Sequence, residues 1–525
     1  MSFLTGTKAS PAPDQKQLGL NDTSAATNEQ GQPLPYLAGK FRFAGTFITD
    51  AFDQNSSTQG AGGKNSGKGG GGSGTNYYAG FGVAFCLGTV DGFHDLYLNG
   101  DAVFTRTTAL RPNSLAQVNN IATFICTNAH GLTTGDQVVI TGAVETEFNG
   151  EFTVTVLDAV TFTYVIPGSS IVAETASGQV QGWVKLDPIY RGDEDFIEIT
   201  IPNYGILRIY WGTETQVADD YLAVSGTQHP PMHGVCYGVF TSFFIGLNQT
   251  NIQNIEAVLS RTPTAAWLAN QADADIDDEA NPAVVFYDLL TNPRCGLGLT
   301  DADFNLPGLK AAATQFKNEG LGISPLISRQ DTAATLLQQL CETVDAVPIL
   351  DANGLLLMLP IRNAADYSIL PVINDDKLAS IPKPKVDDWS NTHNDTQLVF
   401  PNRDAAFLND FVEWKDFGAS SVAQSLATPQ TLQRDWITKR TIATALVQAA
   451  GPAGSIPERT GQADVVFTTD LWAALAPGNL FKLAYSLRPT GGGIFRVTKR
   501  TFSDPAQPKF TIEYAADRSY LNLTP

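Results

Sequence analysis

Alternation of apolar and polar residues with a period of two is the feature that most restricts this chain. Phe152, Val154 and Val156 alternate with Thr153 and Thr155, TFTYV repeats the pattern, and IEITIPNYGILRIYWG carries it on from Ile197. Successive side chains of a strand point to opposite faces, so such runs read as short antiparallel strands with one buried face. Asn99-Gly100 inside DLYLNGDAVF is a two-residue hairpin signal, because both residues tolerate positive φ. Asn149-Gly150 precedes the 152–156 run. QLVF, FVEWKDF, NLFKLAY, GIFRVTKRTF and KFTIEYA extend the β character from about residue 374 onward.

Helical spacing is confined to fewer places. Asn281-Pro282 opens AVVFYDLLTNP with a cap residue and a proline at the first helical position, and Val285, Phe286, Leu289 and Leu290 form one face. A second helix is expected over Pro307–Asn318. A third follows Asp331, with Ala333, Leu336, Leu337, Leu340, Cys341 and Val344 at three- and four-residue spacing. VPILDANGLLLMLPI then predicts a hairpin pivoting on Asn353-Gly354, and a further helix is expected near Thr438–Ala450. The fold class is therefore mainly β with an α+β central unit.

The 525 residues suggest about three or four domains. We divide them into an extended N-terminal arm (1–30), a first β domain built from 31–115 and 186–262, a small β domain inserted at 116–185, an α+β domain (263–373) and a second β domain (374–525). QNSSTQGAGGKNSGKGGGGSGTN, residues 54–76, reads as a mobile Gly-rich loop.

Charge narrows the function classes. Basic residues number 33 against 53 acidic ones, a net charge of −20, which argues against gripping phosphate backbones or an anionic membrane surface. Charged residues make up only 16%, below the usual ~25%, which suits large permanent interfaces. The start, MSFLTGTKASPAPDQ, has no apolar core of a secretory signal, and no run of about 18 apolar residues suggests a membrane span. Cys86, Cys126, Cys236, Cys295 and Cys341 are scattered without a CxxC, so buried thiols are expected, with no disulfide framework and no zinc knuckle.

Each candidate for catalysis or ligand binding meets a physical objection. Gly62–Gly69 fits a phosphate loop up to Lys68, but Gly69 stands where a hydroxyl is needed and no helix can start after it. His229 and His233 have the spacing of two metal ligands on a helix, which Pro230 and Pro231 forbid. Asp193, Glu194, Asp195 and Glu198 could supply a glycosidase pair, but read better as a solvated acidic run. ADADIDDEAN (272–281) loosely resembles a calcium loop, yet lacks the turn glycine and the final glutamate. No enzyme activity, metal or cofactor is expected.

Three segments together resemble the tip attachment protein J family of long-tailed phages. GQPLPYLAGKFRFAGTFIT matches an N-terminal motif through Gly31, Pro33, Pro35, Gly39, Arg42 and Gly45. CLGTVDGFHDLYLNGDAVF resembles the hairpin element that follows it. NPAVVFYDLLTNPRCGLGL carries the most specific match, through Asn281, Pro282, Asn292, Pro293, Arg294, Gly296 and Gly298. LAPGNLFKLAY adds Pro477 and Gly478, with Asn479 where the family favours Asp. The insert is similar to small β modules found across phage tail proteins.

The resemblance implies a structural tail hub: two hub β-barrels per chain, a homotrimer that adapts a sixfold tube to a threefold tip, and a closed channel that opens for DNA ejection. The implied partners are the distal tail protein or tail tube ring, the tape-measure protein C-terminus, and tail fibre or receptor-binding proteins. DNA would pass through an acidic lumen without specific binding, and no stable membrane insertion is expected. The implied location is the virion tail tip, after synthesis in the bacterial host cytoplasm. Interfaces are expected in the arm before Gln32 and in the insert. Two rival readings are a glycan-binding adhesin acting through the insert and a tail-associated cell-wall hydrolase.

Overall fold

Strand pairing organises most of the chain. The structure, a computed structural model, describes residues 33–58, 75–105, 107–110, 112–166, 174–185, 189–226, 229–247, 251–329, 331–351, 353–362, 367–416, 429–455, 457–486, 493–502 and 507–517. The expected N-terminal arm, Gly31 and the Gly62–Gly69 segment lie outside the described residues. The fold is mainly β and multi-domain, with several curled sheets. It forms two compact units. The first takes Phe43–Leu259 and the residues up to Leu34; the second takes Pro35–Arg42 and Ser260–Pro525.

The first unit is built on two 13-residue strands, Thr75–Leu87 and Val235–Leu247, paired antiparallel. Gly205–Trp211 and then Phe196–Ile201 extend the sheet beyond Val235–Leu247. Three register shifts interrupt the long pair, and such bulges increase local twist, which curls the sheet. Aromatic rings fill its inner face: Phe81 stacks on Phe240 at 4.7 Å and Tyr210 on Tyr237 at 4.4 Å. Phe52–Thr58 pairs with Thr75–Leu87, so 54–58 and 75–76 are strand and not loop as the composition suggested. Tyr77 and Tyr78 stand opposite Ser56 and Asn55, and strand pairing overrides the polar composition there.

Asn99-Gly100 turns as the sequence predicts, with φ of 50° and 92°, and Leu98 pairs with Asp101 across it. Thr107 to Lys185 supply an eight-stranded sheet with its own core. Its order is Glu174–Thr175, Pro112–Val118, Ile121–Cys126, Thr161–Val165, Gly150–Val156, Gln137–Ala143, Gly178–Lys185 and Thr107–Leu110. The alternation has the expected meaning. Phe152, Val154, Phe162 and Tyr164 are buried, whereas Thr153 and Thr155 face out. Phe124 stacks on Phe162 at 4.9 Å and Phe152 on Tyr164 at 4.2 Å.

In the second unit, α1 (Pro282–Thr291), α2 (Leu306–Asn318) and α3 (Ala333–Val344) each start on a side-chain cap, from Asn281, Asn305 and Thr332. The hairpin Ala346–Leu350 with Leu356–Pro360 follows. Its loop is organised by Asp351, whose Oδ1 accepts from the backbone N–H groups of Asn353 and Leu355 at 2.8 and 2.9 Å. The last long helix is Arg440–Gly454, four residues longer at its end than the sequence suggested. Gly451 packs there against Trp414, where a Cβ would lie 2.3 Å from the ring.

That helix and the sheet Leu408–Lys415, Asp395–Asn402, Pro429–Gln433 share one core with α1–α3. The final sheet has a separate core around Val465, Phe481, Val497, Phe510 and Ile512. Its edge strand, Lys383–Val386, is exposed throughout. Pro384 has no N–H to offer and two lysines flank it, a combination that discourages further strand addition. Among the described residues, no helix is long and apolar enough to cross a membrane.

Candidate functional site

The second unit gathers most of the motif residues around α1. Asn281 is fully buried and uses its whole side chain. Its Oδ1 accepts from Ala283 N–H at 3.1 Å, and its Nδ2 donates to the carbonyls of Asp273 and Ala313 at 2.9 and 2.8 Å. Pro282 needs no hydrogen-bond partner for a missing N–H at the first helical position. The helix ends in a turn held by Asn292, whose Oδ1 accepts from Arg294 and Cys295 N–H groups at 2.9 and 3.3 Å. Gly296 lies against the carbonyls of Leu289 and Asn292, where a Cβ would sit 2.5 and 2.7 Å away. The turn therefore presents Pro293, Arg294, Leu297 and Gly298 at the surface on a fixed backbone.

A polar knot ties the 35–42 segment to the same helix. Tyr36 donates its hydroxyl to Asp288 Oδ2 at 2.7 Å, and Arg261 Nη2 donates to that oxygen at 3.1 Å. Arg261 Nη1 reaches the Leu37 carbonyl at 2.8 Å, and the guanidinium lies 5.0 Å from the Tyr36 ring centre. Burial, and then the Asp288 carboxylate, push the Tyr36 hydroxyl well above its ordinary value, so it stays a donor. Pro35 is buried, whereas Pro33 is exposed. Gly39 has φ of 71°, and a Cβ there would meet Ser324 Oγ at 2.5 Å. Arg42 donates to the Ala406 carbonyl at 3.3 Å.

The acidic stretch 272–281 packs beside the Asn281 cap. Basic side chains from distant positions pair with Asp277 and Asp278. Lys439 meets Asp277 at 2.6 Å, Arg403 meets it at 3.4 Å, and Lys40 meets Asp278 at 3.4 Å. Lys317 donates to the Asp275 carbonyl. Glu279 is completely buried, accepts from Thr438 Oγ1 at 2.6 Å and has Lys439 at 3.7 Å. Burial pushes its carboxyl up to about 7, with Lys439 and Thr438 pulling the other way. A carboxylate removed from water is tolerated only when paired and hydrogen-bonded.

The remaining motif residues lie elsewhere. Gly45 belongs to the first unit, against Val83 and Phe85. Pro477 and Gly478 form a turn in which Gly478 N–H bonds the Val497 carbonyl at 2.7 Å and Arg496 Nη1 bonds the Gly478 carbonyl at the same distance. Asn479, in place of the family's Asp, donates to the Ala474 carbonyl at 3.1 Å.

The catalytic candidates do not converge. Asp193 and Glu194 are exposed, and Glu198 is bound by Arg208 at 3.1 Å. His229 and His233 bond Ser225 Oγ and the Gln216 carbonyl at 3.3 and 3.1 Å. Among the described residues no cluster of three or more His, Cys, Asp or Glu side chains is placed to hold a metal. Sequence reasoning missed Tyr36, Arg261 and Asp288, and also the bases around Glu279, because each pairs across a long sequence separation.

The fold is similar to that of a chain in the virion of a native gene transfer agent particle. The TM-score is 0.52 at 12% identity, covering 98% of this chain and 90% of that one. That likeness establishes the fold. Weaker similarities link it to the tail protein from Neisseria meningitidis MC58 and to the 43 kDa tail protein of prophage MuSo2 from Shewanella oneidensis. The TM-scores are 0.31 and 0.30 at 10% and 9% identity. They cover 83% and 82% of this chain and 99% of each of the others. No family model and no curated protein matches the sequence.

Proposed function

We propose that this chain is a structural protein of a phage-type tail, acting as the hub at the tail tip. The observation that carries the reading is the end-to-end likeness of fold to a chain of a virion, over 98% of this chain. Two motif residues support it: Asn281 and Asn292 cap and close α1, and their side-chain polar groups serve the backbone. In this reading three copies form a ring that caps the tube, the two large β domains supply a pseudo-sixfold face, and the α+β domain narrows the channel. The tape-measure protein C-terminus ends inside, a distal tail or tube ring docks above, and fibres attach outside. Receptor engagement shifts domain packing, and DNA leaves through an acidic lumen.

Cryo-electron microscopy of particles, with an epitope inserted in this chain, tests the proposal. Threefold density at one tail end is expected; label along the whole tube, on the head, or absent from particles overturns it. Light scattering of the isolated chain adds the oligomeric state.

A further inference from the structure

Two of the five cysteines, far apart in sequence, stand directly opposite each other. Cys86 and Cys236 are cross-strand partners on the two longest strands of the first unit, beside a register shift at Cys236/Tyr237. Both are wholly buried, and Cys86 is the titratable group that acts on the Cys236 thiol. Opposed residues of an antiparallel pair have Cα atoms about 4.5 or 5.5 Å apart, within the roughly 4.4–6.8 Å span of a disulfide. The adjacent bulge bends the strand and increases its twist beside the pair. The geometry points to Cys86 and Cys236 as an oxidation site at which hydrogen peroxide closes a disulfide between these strands.

The chemistry balances with peroxide alone. One cysteine, as thiolate, takes an oxygen from hydrogen peroxide, breaking the O–O bond and giving a sulfenic acid with loss of hydroxide, which is protonated to water. The facing thiol attacks that sulfur, the S–S bond forms, and a second water leaves. Two electrons pass from the sulfur pair to the peroxide. Complete burial selects a small neutral oxidant over bulky disulfides. It also holds the Cys236 thiol well above the ordinary thiol range, so the reaction is slow. The other buried thiols lack this arrangement: Cys126 stands opposite Pro112, and Cys341 lies on α3.

The test uses the full chain carrying Cys295→Ser, which removes the exposed thiol and intermolecular coupling. The folded protein is incubated with hydrogen peroxide, quenched, unfolded, alkylated and mapped by mass spectrometry. The expected result is a linked pair of peptides containing Cys86 and Cys236, with Cys126 and Cys341 still alkylated. The link should return to two thiols under dithiothreitol and be absent when Cys236→Ala is added. Recovery of Cys86 and Cys236 as alkylated thiols, or as separate sulfinic acids with no linked peptide, overturns the proposal.

Discussion

Two acidic stretches of this chain have similar composition and different degrees of burial. Asp193, Glu194 and Asp195 lead into a strand of the first unit that carries Glu198; Asp193 and Glu194 are exposed, and Glu198, also exposed, meets Arg208 at 3.1 Å. Asp275, Asp277, Asp278 and Glu279 precede α1 in the second unit and receive Lys40, Arg403, Lys439 and the Thr438 hydroxyl. The difference teaches that acid density says little by itself. What decides is burial: Glu198 meets Arg208 while still in water, whereas Glu279 meets Lys439 and Thr438 out of it.

The largest expected effect separates the two stretches by pH. Glu279 has a folded-state value above that of an ordinary carboxyl. The fold therefore favours its protonated form: that contribution is complete below about 4.5 and disappears as pH rises through about 7. Glu279→Gln should remove the dependence, with the variant gaining on the native chain by on the order of 3 kcal/mol between those limits. Denaturant unfolding of the second unit at pH 5 and pH 8 measures it, and parallel profiles would sink the assignment. Lys439→Ala should cost about 3 kcal/mol at pH 7, because it strips Asp277 and the buried Glu279 of a cation; the same unfolding midpoint reads it.

Thr438→Val should cost about 2 kcal/mol by removing the one hydroxyl that bonds the buried carboxylate, and its loss should shrink when Glu279→Gln is already present. A double-mutant cycle checks that coupling. The smallest effect belongs to the other stretch. Asp193→Asn with Glu194→Gln should leave stability within about 0.5 kcal/mol, and a larger loss would mean that this run is not simply solvated.

Local rules made several elements legible. Asn281-Pro282 announces α1 because cap and first-turn chemistry are contained in adjacent residues. Asn99-Gly100 announces its hairpin because both residues must adopt positive φ. The Phe152–Val156 alternation announces which side chains are inside. The candidate site was less readable. The pairings Tyr36 with Asp288, Asp278 with Lys40 and Glu279 with Thr438 span 252, 238 and 159 residues, and no periodicity encodes them. Cys86 and Cys236 looked scattered for the same reason. Asp351 was overlooked because the neighbouring Asn-Gly pair is the louder turn signal, although the carboxylate does the holding.

The segment Pro35–Arg42 belongs to the second unit, yet the ribosome makes it before nearly all of the first. Arg261, which grips the Leu37 carbonyl, emerges only after the intervening chain has been made, roughly 10–45 s later at ordinary elongation speeds. During that interval the Leu37 carbonyl lacks its guanidinium donor and the Tyr36 hydroxyl lacks Asp288, which is made later still. The Tyr36–Asp288–Arg261 knot is thus completed only after the intervening chain exists, and a chain truncated before residue 261 cannot form it.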